Sequence, residues 1–275
     1  MIKLKTINKD IIKPIKMYEE DKRPIKGGSI CSTCYGNIAL IASIASGKTN
    51  VLFNILKKCA GKKTKIIAFV STLFNDNNWN VIKKWCKKNK IQFVGHTSIY
   101  EDGNDLLGGY VNEFTEKAKQ REKKEDMIEE NKMIPITVEE SLKICFNDDS
   151  DDEEEETCQY PETIMIFDDL ANEIRDRNYE NLLKKSRHFH ILTITSSQDL
   201  KDITPASRAQ MRIWILFRNI NPERLQNIYD AISPNIAFNK FKSIYEHATK
   251  DKYNFLYINH REENYRKCFD KQYLI

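Results

Sequence analysis

Starting at Asn37, the apolar run Asn-Ile-Ala-Leu-Ile-Ala meets Ser-Ile-Ala-Ser-Gly-Lys-Thr and continues as Asn-Val-Leu-Phe-Asn-Ile-Leu-Lys-Lys-Cys, whose apolar residues recur at helical spacing. The order is strand, loop, helix, and a strand apolar at every position must be covered on both faces. This points to an α/β sheet with helices on each side. The loop from Ala42 to Thr49 fits the pattern G-x-x-x-x-G-K-S/T, with Ala42 standing where the first glycine would be.

Such a loop suits a phosphorylated ligand for physical reasons. Backbone N–H groups at a helix start can wrap β- and γ-phosphates, a lysine neutralises charge, and a hydroxyl can hold Mg2+. No proline interrupts residues 42–49, so every donor survives. The candidate binding residues are Ala42, Ser43, Ile44, Ala45, Ser46, Gly47, Lys48, Thr49 and Asn50, with ATP as ligand. Gly47 keeps a side chain away from Lys48, and Ala42 has to avoid a left-handed backbone. The plain alternative is an exposed turn whose Ser or Thr caps the helix.

Further apolar runs at Lys65–Val70, Ile91–Gly95, Thr163–Phe167, His190–Thr195, Arg212–Phe217 and Tyr253–Ile258 read as strands, the last as the final one. Helical patterns lie between them, among them the segment holding Trp79, Ile82 and Trp85, then 178–185, 221–232 and 235–249. The spacing of the two tryptophans predicts packing rather than base stacking. From about 100 to 146 the chain reads as helical and highly charged, with Gly108-Gly109 as a break. The domain reading is an N-terminal arm over 1–36 and one domain over 37–275, carrying an insertion over about 100–160 at one sheet edge.

Two strands end in polar groups. Thr-Ile-Met-Ile-Phe leads into Asp168 and Asp169, and the run from His190 leads to Gln198. A parallel strand emits such groups where these sheets bind ligands. Asp168 would hold Mg2+ together with Thr49, Asp169 would orient or deprotonate an attacking water, and Gln198 would sense the γ-phosphate. Helix capping is the bland role for one of the two acids.

Composition limits the alternatives. Few glycines and prolines (9 and 7 in 275 residues) exclude a collagen-like or wholly disordered chain. Seven cysteines and a start of MIKLKTINKD predict free thiols in a reducing compartment. The longest uncharged stretch, Ile30 to Gly47, contains too many hydroxyls and amides to cross a bilayer, so no stable membrane insertion is expected. Cys31-x-x-Cys34 has no second ligand pair at zinc spacing, and His188 with His190 cannot share one ion. The 44 Lys+Arg and 40 Asp+Glu nearly cancel, but eight of the acids fall between Asp148 and Glu156, leaving a basic body suited to a polyanion.

Taken together, Ala42–Thr49, KIIAFVST, IFDD at Ile166–Asp169, Arg187-His188 before the strand ending in Gln198, and Pro205-Ala-Ser-Arg208-Ala before RIWILF form an ordered set. It resembles the genome-packaging ATPases of large double-stranded DNA viruses and virophages, the poxvirus branch of the FtsK–HerA superfamily. The resemblance spans about 37–232, excluding the insertion. It departs from the family pattern at Ala42, Ile44 and Ala45, where small residues, mostly glycines, are usual, and at Asp169, where many relatives carry Glu. It implies a three-layer RecA-like P-loop NTPase with a mainly parallel sheet, acting as an ATP- and Mg2+-dependent motor that drives double-stranded DNA into a capsid. Catalysis would fall to Lys48, Asp169 and Gln198, with Arg187 as the arginine reaching a neighbouring subunit's nucleotide and Arg208 as runner-up. The implied partners are DNA, a homomeric ring of five or six copies, and capsid or portal vertex proteins. The implied location is the viral factory in the host cytoplasm, with the virion as a further one. Two alternatives stay open: a P-loop kinase of a small nucleotide or metabolite, and a scaffold that binds nucleotide without hydrolysis. A structural role for Arg187, as a cation near a helix C-terminus, also stays open.

Overall fold

The apolar runs become strands buried along most of their length. The computed structural model describes residues 21–132 and 157–275; the first twenty residues and the acidic run from Asn147 to Glu156 lie outside the described residues. Strands β1 (Gly36–Ile41), β2 (Lys65–Val70), β3 (Gln92–His96), β6 (Thr163–Asp168), β7 (Ile191–Ser197) and β8 (Ile213–Phe217) pair in parallel in the order β8-β1-β7-β6-β2-β3. Beyond β8 the sheet continues antiparallel through β9 (Phe255–Asn259), β10 (Asn264–Lys267) and β11 (Lys271–Gln272). Among the described residues no helix is long and apolar enough to cross a membrane.

Alternate residues of each strand feed two separate cores, which makes three layers. On one face Ile38 and Leu40 of β1 meet Val51, Leu52 and Ile55 of α1 (Lys48–Cys59) and Trp79 and Ile82 of α2 (Asn77–Lys88). On the other, Ala39 and Ile41 join a cluster closed by Leu107, Val111 and Phe114 of α3 (Leu106–Lys132) and by α4 (Arg177–Lys184), α6 (Pro222–Ile232) and α7 (Phe238–Ala248). The short α5 (Pro205–Arg208) sits between α4 and α6. Fully burying one such side chain contributes about 1.5–3 kcal/mol. Phe167, next to the candidate acids, stacks on Phe69 with centroids 5.4 Å apart and meets Tyr179 edge-on at 4.9 Å, so the strand end that carries Asp168 is fixed by packing.

Register decides what meets at the carboxyl edge. Asp168 stands beside Ser196, and Ser197 beside Ile41, so the exits of β6, β7 and β1 are neighbours.

The structure corrects several local readings. Gly108 and Gly109 do not break the chain: they lie in the first turn of α3, where the Gly108 amide donates to Asp105 Oδ1 at 2.7 Å. A Cβ at Gly108 would come within 2.3 Å of the Asp105 carboxylate, so the glycine admits the cap. The segment before α3 folds as a small hairpin, β4 (Tyr100–Glu101) with β5 (Asn104–Asp105), which apolar patterning does not announce. The strand at Phe255 is not the last, because β10 and β11 extend the sheet with polar edge sequence. Residues 25–35 pack onto the domain: Ile30 and Cys31 are buried, and the Tyr257 hydroxyl donates to the Ile30 carbonyl at 2.5 Å.

Candidate functional site

The loop between β1 and α1 has the backbone that its chemistry needs. Ala42 is buried, with its amide donating to the Ser197 carbonyl at 3.0 Å, and it is not among the left-handed residues. Glycine is therefore not required there. The left-handed turns fall at Ala45 (φ 58°) and Gly47 (φ 94°). Gly47 precedes the helix and supplies no side-chain cap, so among the described residues the amides of Gly47, Lys48 and Thr49 meet no backbone carbonyl and stay available to an anion. Ala45 bears strain that a glycine would not. Ala45→Gly is expected to raise stability by about 0.5–1 kcal/mol, read as a higher melting temperature.

Lys48 reaches both acids. Its ammonium ion-pairs with Asp169 and lies 3.4 Å from Asp168 Oδ1. Asp168 is almost wholly buried, and burial raises its pKa above the usual carboxylate range; the Lys48 charge opposes this and the Asp169 charge adds to it. Asp169 has a left-handed backbone (φ 55°), which turns the chain sharply at the strand exit, and its amide donates to the Ser196 carbonyl. Asp168 Oδ1 and the hydroxyls of Ser46 and Ser196 are buried without a hydrogen-bond partner among the described residues. Asp168 Oδ1, which faces the Lys48 ammonium, and the hydroxyl of Thr49, the next residue in the chain, are hard oxygen donors of the kind that fit a magnesium ion.

Gln198 joins the same group, its amide Nε2 donating to Asp169 Oδ1 at 3.4 Å. The structure thus brings Lys48, Thr49, Asp168, Asp169 and Gln198 together. It does not bring the two arginines to them in the same way. Arg208 spends its guanidinium on the carbonyls of Ile203 (2.7 Å) and Leu200 (2.9 Å), clamping the turn that follows Gln198. Arg187 lies in the turn before β7, at the opposite end of that strand from Gln198.

Tyr253 is the residue that sequence patterning missed. It reaches the loop from the turn before β9, where a Cβ on Gly47 would approach its ring to 3.0 Å. It shares with Lys48, Thr49, Asn50 and Asp169 a cavity of about 340 Å³, and it is 54% exposed. Asp251, paired with Lys267 at 2.9 Å, fixes that turn. A second cavity of about 570 Å³ lies on the other side of Gln198, lined by Ala42, Ser43, Arg208, Arg218 and Arg224.

A parallel sheet ordered in this way, with a phosphate loop leaving β1 and an acid pair leaving β6, defines the P-loop NTPase class of fold. No family model matches the chain. The crystal structure of B204, the DNA-packaging ATPase from Sulfolobus turreted icosahedral virus, aligns with a TM-score of 0.50 at 17% identity, covering 84% of this chain and 95% of that one. The genome-packaging NTPase B204 from Sulfolobus turreted icosahedral virus 2, in complex with AMP, aligns at 0.49 and 16%, covering 85% and 97%. In sequence the chain is 28% identical over 123 residues to the uncharacterised protein 075L of Invertebrate iridescent virus 6, 43% of this chain and 47% of the relative. It therefore spans about half the length of the curated relative it matches. The likeness to the first of these structures is one of fold, and the chain has the P-loop NTPase fold.

Proposed function

We propose that this chain hydrolyses ATP and uses the energy to move double-stranded DNA into a viral capsid, working as a homomeric ring in the host cytoplasm. The observation that carries the reading is the convergence of Lys48 with Asp168, Asp169 and Gln198 at one point of the carboxyl edge.

On this reading the free amides of Gly47, Lys48 and Thr49 hold the phosphates and the Lys48 ammonium neutralises them. Thr49 and Asp168 would hold Mg2+, which supplies charge neutralisation on the phosphate oxygens when bound. Asp169 orients and deprotonates the water, and Gln198 fixes its position. In the present arrangement Lys48 occupies the carboxylate that serves as base, so the base is masked until phosphates draw the ammonium away. DNA would be gripped through its backbone, as a packaging motor must be indifferent to sequence. ATP turnover measured with and without long duplex DNA, alongside particle mass, tests the motor reading, and no turnover under any DNA or oligomeric condition would refute it.

Tyr253, half exposed and lying against Gly47, would stack on the base of the nucleotide. Tyr253→Ala is expected to weaken ATP binding about tenfold, the worth of one aromatic stack, while leaving inorganic tripolyphosphate binding unchanged. Equal weakening of both would instead assign Tyr253 to supporting Gly47.

One observation favours the kinase reading, the arginine-lined cavity beside Gln198. Of its arginines, Arg208 is spent on carbonyls and Arg224 pairs with Asp199 at 3.0 Å, which leaves Arg218 to meet an acceptor. Transfer of labelled γ-phosphate to a small acceptor in place of water would select it.

A further inference from the structure

Where α1 and α2 end and the chain turns into β2 and β3, a cavity of about 880 Å³ is lined by Lys26, Lys57, Lys62, Lys88 and Lys90, and among the described residues by no acid. Lysines in the last turn of a helix are ordinarily explained by the partial negative charge of its terminal carbonyls. That accounts for Lys57 of α1 and Lys88 of α2. It does not account for Lys26, Lys62 and Lys90, which lie outside both helices. Asp76, the single acid between residues 57 and 90, caps the far end of α2 and cannot neutralise them. Lys57, Lys88 and Lys90 form no ion pair with a described residue. A cleft walled by one sign of charge concentrates its potential and draws counter-charge.

The rim of this cavity is also where the chain comes back from the acidic run. The Gln159 amide donates to the Pro24 carbonyl, and its carbonyl accepts from the Lys26 amide, each at 2.8 Å. The Tyr160 ring lies on Gly61, where a Cβ would meet it at 2.3 Å, and the Thr64 hydroxyl donates to the Pro161 carbonyl at 2.8 Å. Lys26 and Gly61 are wall residues, so residues 159–161 are fastened to the rim. Glu156 precedes Gln159 by three residues, and at about 3.3–3.6 Å per residue it stands within roughly 10 Å of that point. Eight carboxylates in the nine residues Asp148 to Glu156 are therefore tethered beside a cavity walled by lysines. Such a tether makes the encounter intramolecular, at an effective concentration on the order of millimolar.

We propose that the acidic run 148–156 docks in this lysine cavity and so ties the insertion to the ends of α1 and α2. The inference uses no residue of the phosphate loop or the acid pair and is independent of the ATPase reading.

Trp85 reports on the cavity. It lines the wall and is partly exposed, whereas Trp79 and Trp214 are buried, so a collisional quencher of the full chain's fluorescence reads Trp85. The informative variant carries Asn at the four aspartates of the run and Gln at its four glutamates, and an unchanged melting temperature verifies that it folds. Acrylamide, which is uncharged, should quench Trp85 more strongly in this neutralised chain, because the docked run no longer shields the ring. Iodide should do so by about threefold or more at low salt, and its advantage over acrylamide should vanish in about 0.5 M salt, where charges are screened within a few ångströms. A dye-labelled peptide of residues 147–157 should bind the neutralised chain, and about tenfold or more weakly once that chain also carries Lys88→Glu and Lys90→Glu. Equal acrylamide quenching of the wild-type and neutralised chains would mean that the cavity stands open to an anion from another molecule, and would overturn the proposal. Peptide binding unaffected by the two lysine substitutions would place the run elsewhere and overturn it as well.

Discussion

Lys48→Ala is expected to lower ATP turnover by about a hundred- to a thousandfold, the usual cost of removing one group that stabilises transition-state charge. It should also destabilise the protein. Lys48 holds the nearly buried Asp168 and the partly buried Asp169 in this state, and removing one partner of a buried pair typically costs about 3 kcal/mol or more. Burial already raises the pKa of Asp168, and removing the Lys48 charge that opposes this raises it further. The loss of stability should therefore be large at pH 8 and shrink toward pH 5 as a proton replaces the lysine. Asp169→Asn separates the two effects, since its amide oxygen still accepts from Lys48. That variant should bind ATP with near wild-type affinity and turn it over about a hundredfold or more slowly. Equilibrium ATP binding, turnover and melting curves at both pH values check these outcomes, and an Asp169→Asn enzyme at full rate would remove the assigned base.

The second large effect concerns Arg187. A trans-acting arginine contributes roughly a thousandfold to phosphoryl transfer, so a homogeneous Arg187→Ala assembly should be nearly inactive. Its side chain is exposed and has no partner among the described residues, so folding should be unaffected. Mixing the variant with wild type in rising proportion should depress turnover more steeply than dilution. A strictly proportional loss would return Arg187 to the role of a helix-end cation.

Much of the fold is legible in the chain because parallel strands covered on both faces are written as unbroken apolar runs. The bounds predicted for β2 coincide with the observed ones, and those of β6 differ by one residue. The polar edge strand β10 was not legible, since only Tyr265 of its four residues is buried. Gly108-Gly109 misled because a glycine pair usually interrupts a helix, whereas here Asp105 caps the turn through it. For the site, Lys48 and the acid pair stand out as local patterns. That they meet depends on strand register, which sets Ser196 beside Asp168 and which no local pattern encodes. Tyr253 lies some two hundred residues from the loop, and an aromatic near a turn carries no signal of what it faces.

Strand β7 has a mechanical consequence. All seven of its residues are buried and it is hydrogen-bonded on both sides, to β1 and to β6. A close-packed interior of this kind deforms little. Gln198 hangs from one end and Arg187 from the other, so the strand behaves as a strut with an amide at its tip and a cation at its foot. A sideways or axial displacement imposed at Gln198 by loss of a phosphate would be transmitted rather than absorbed. In a ring, the order in which subunits fire would then be written into the stiffness of a single strand.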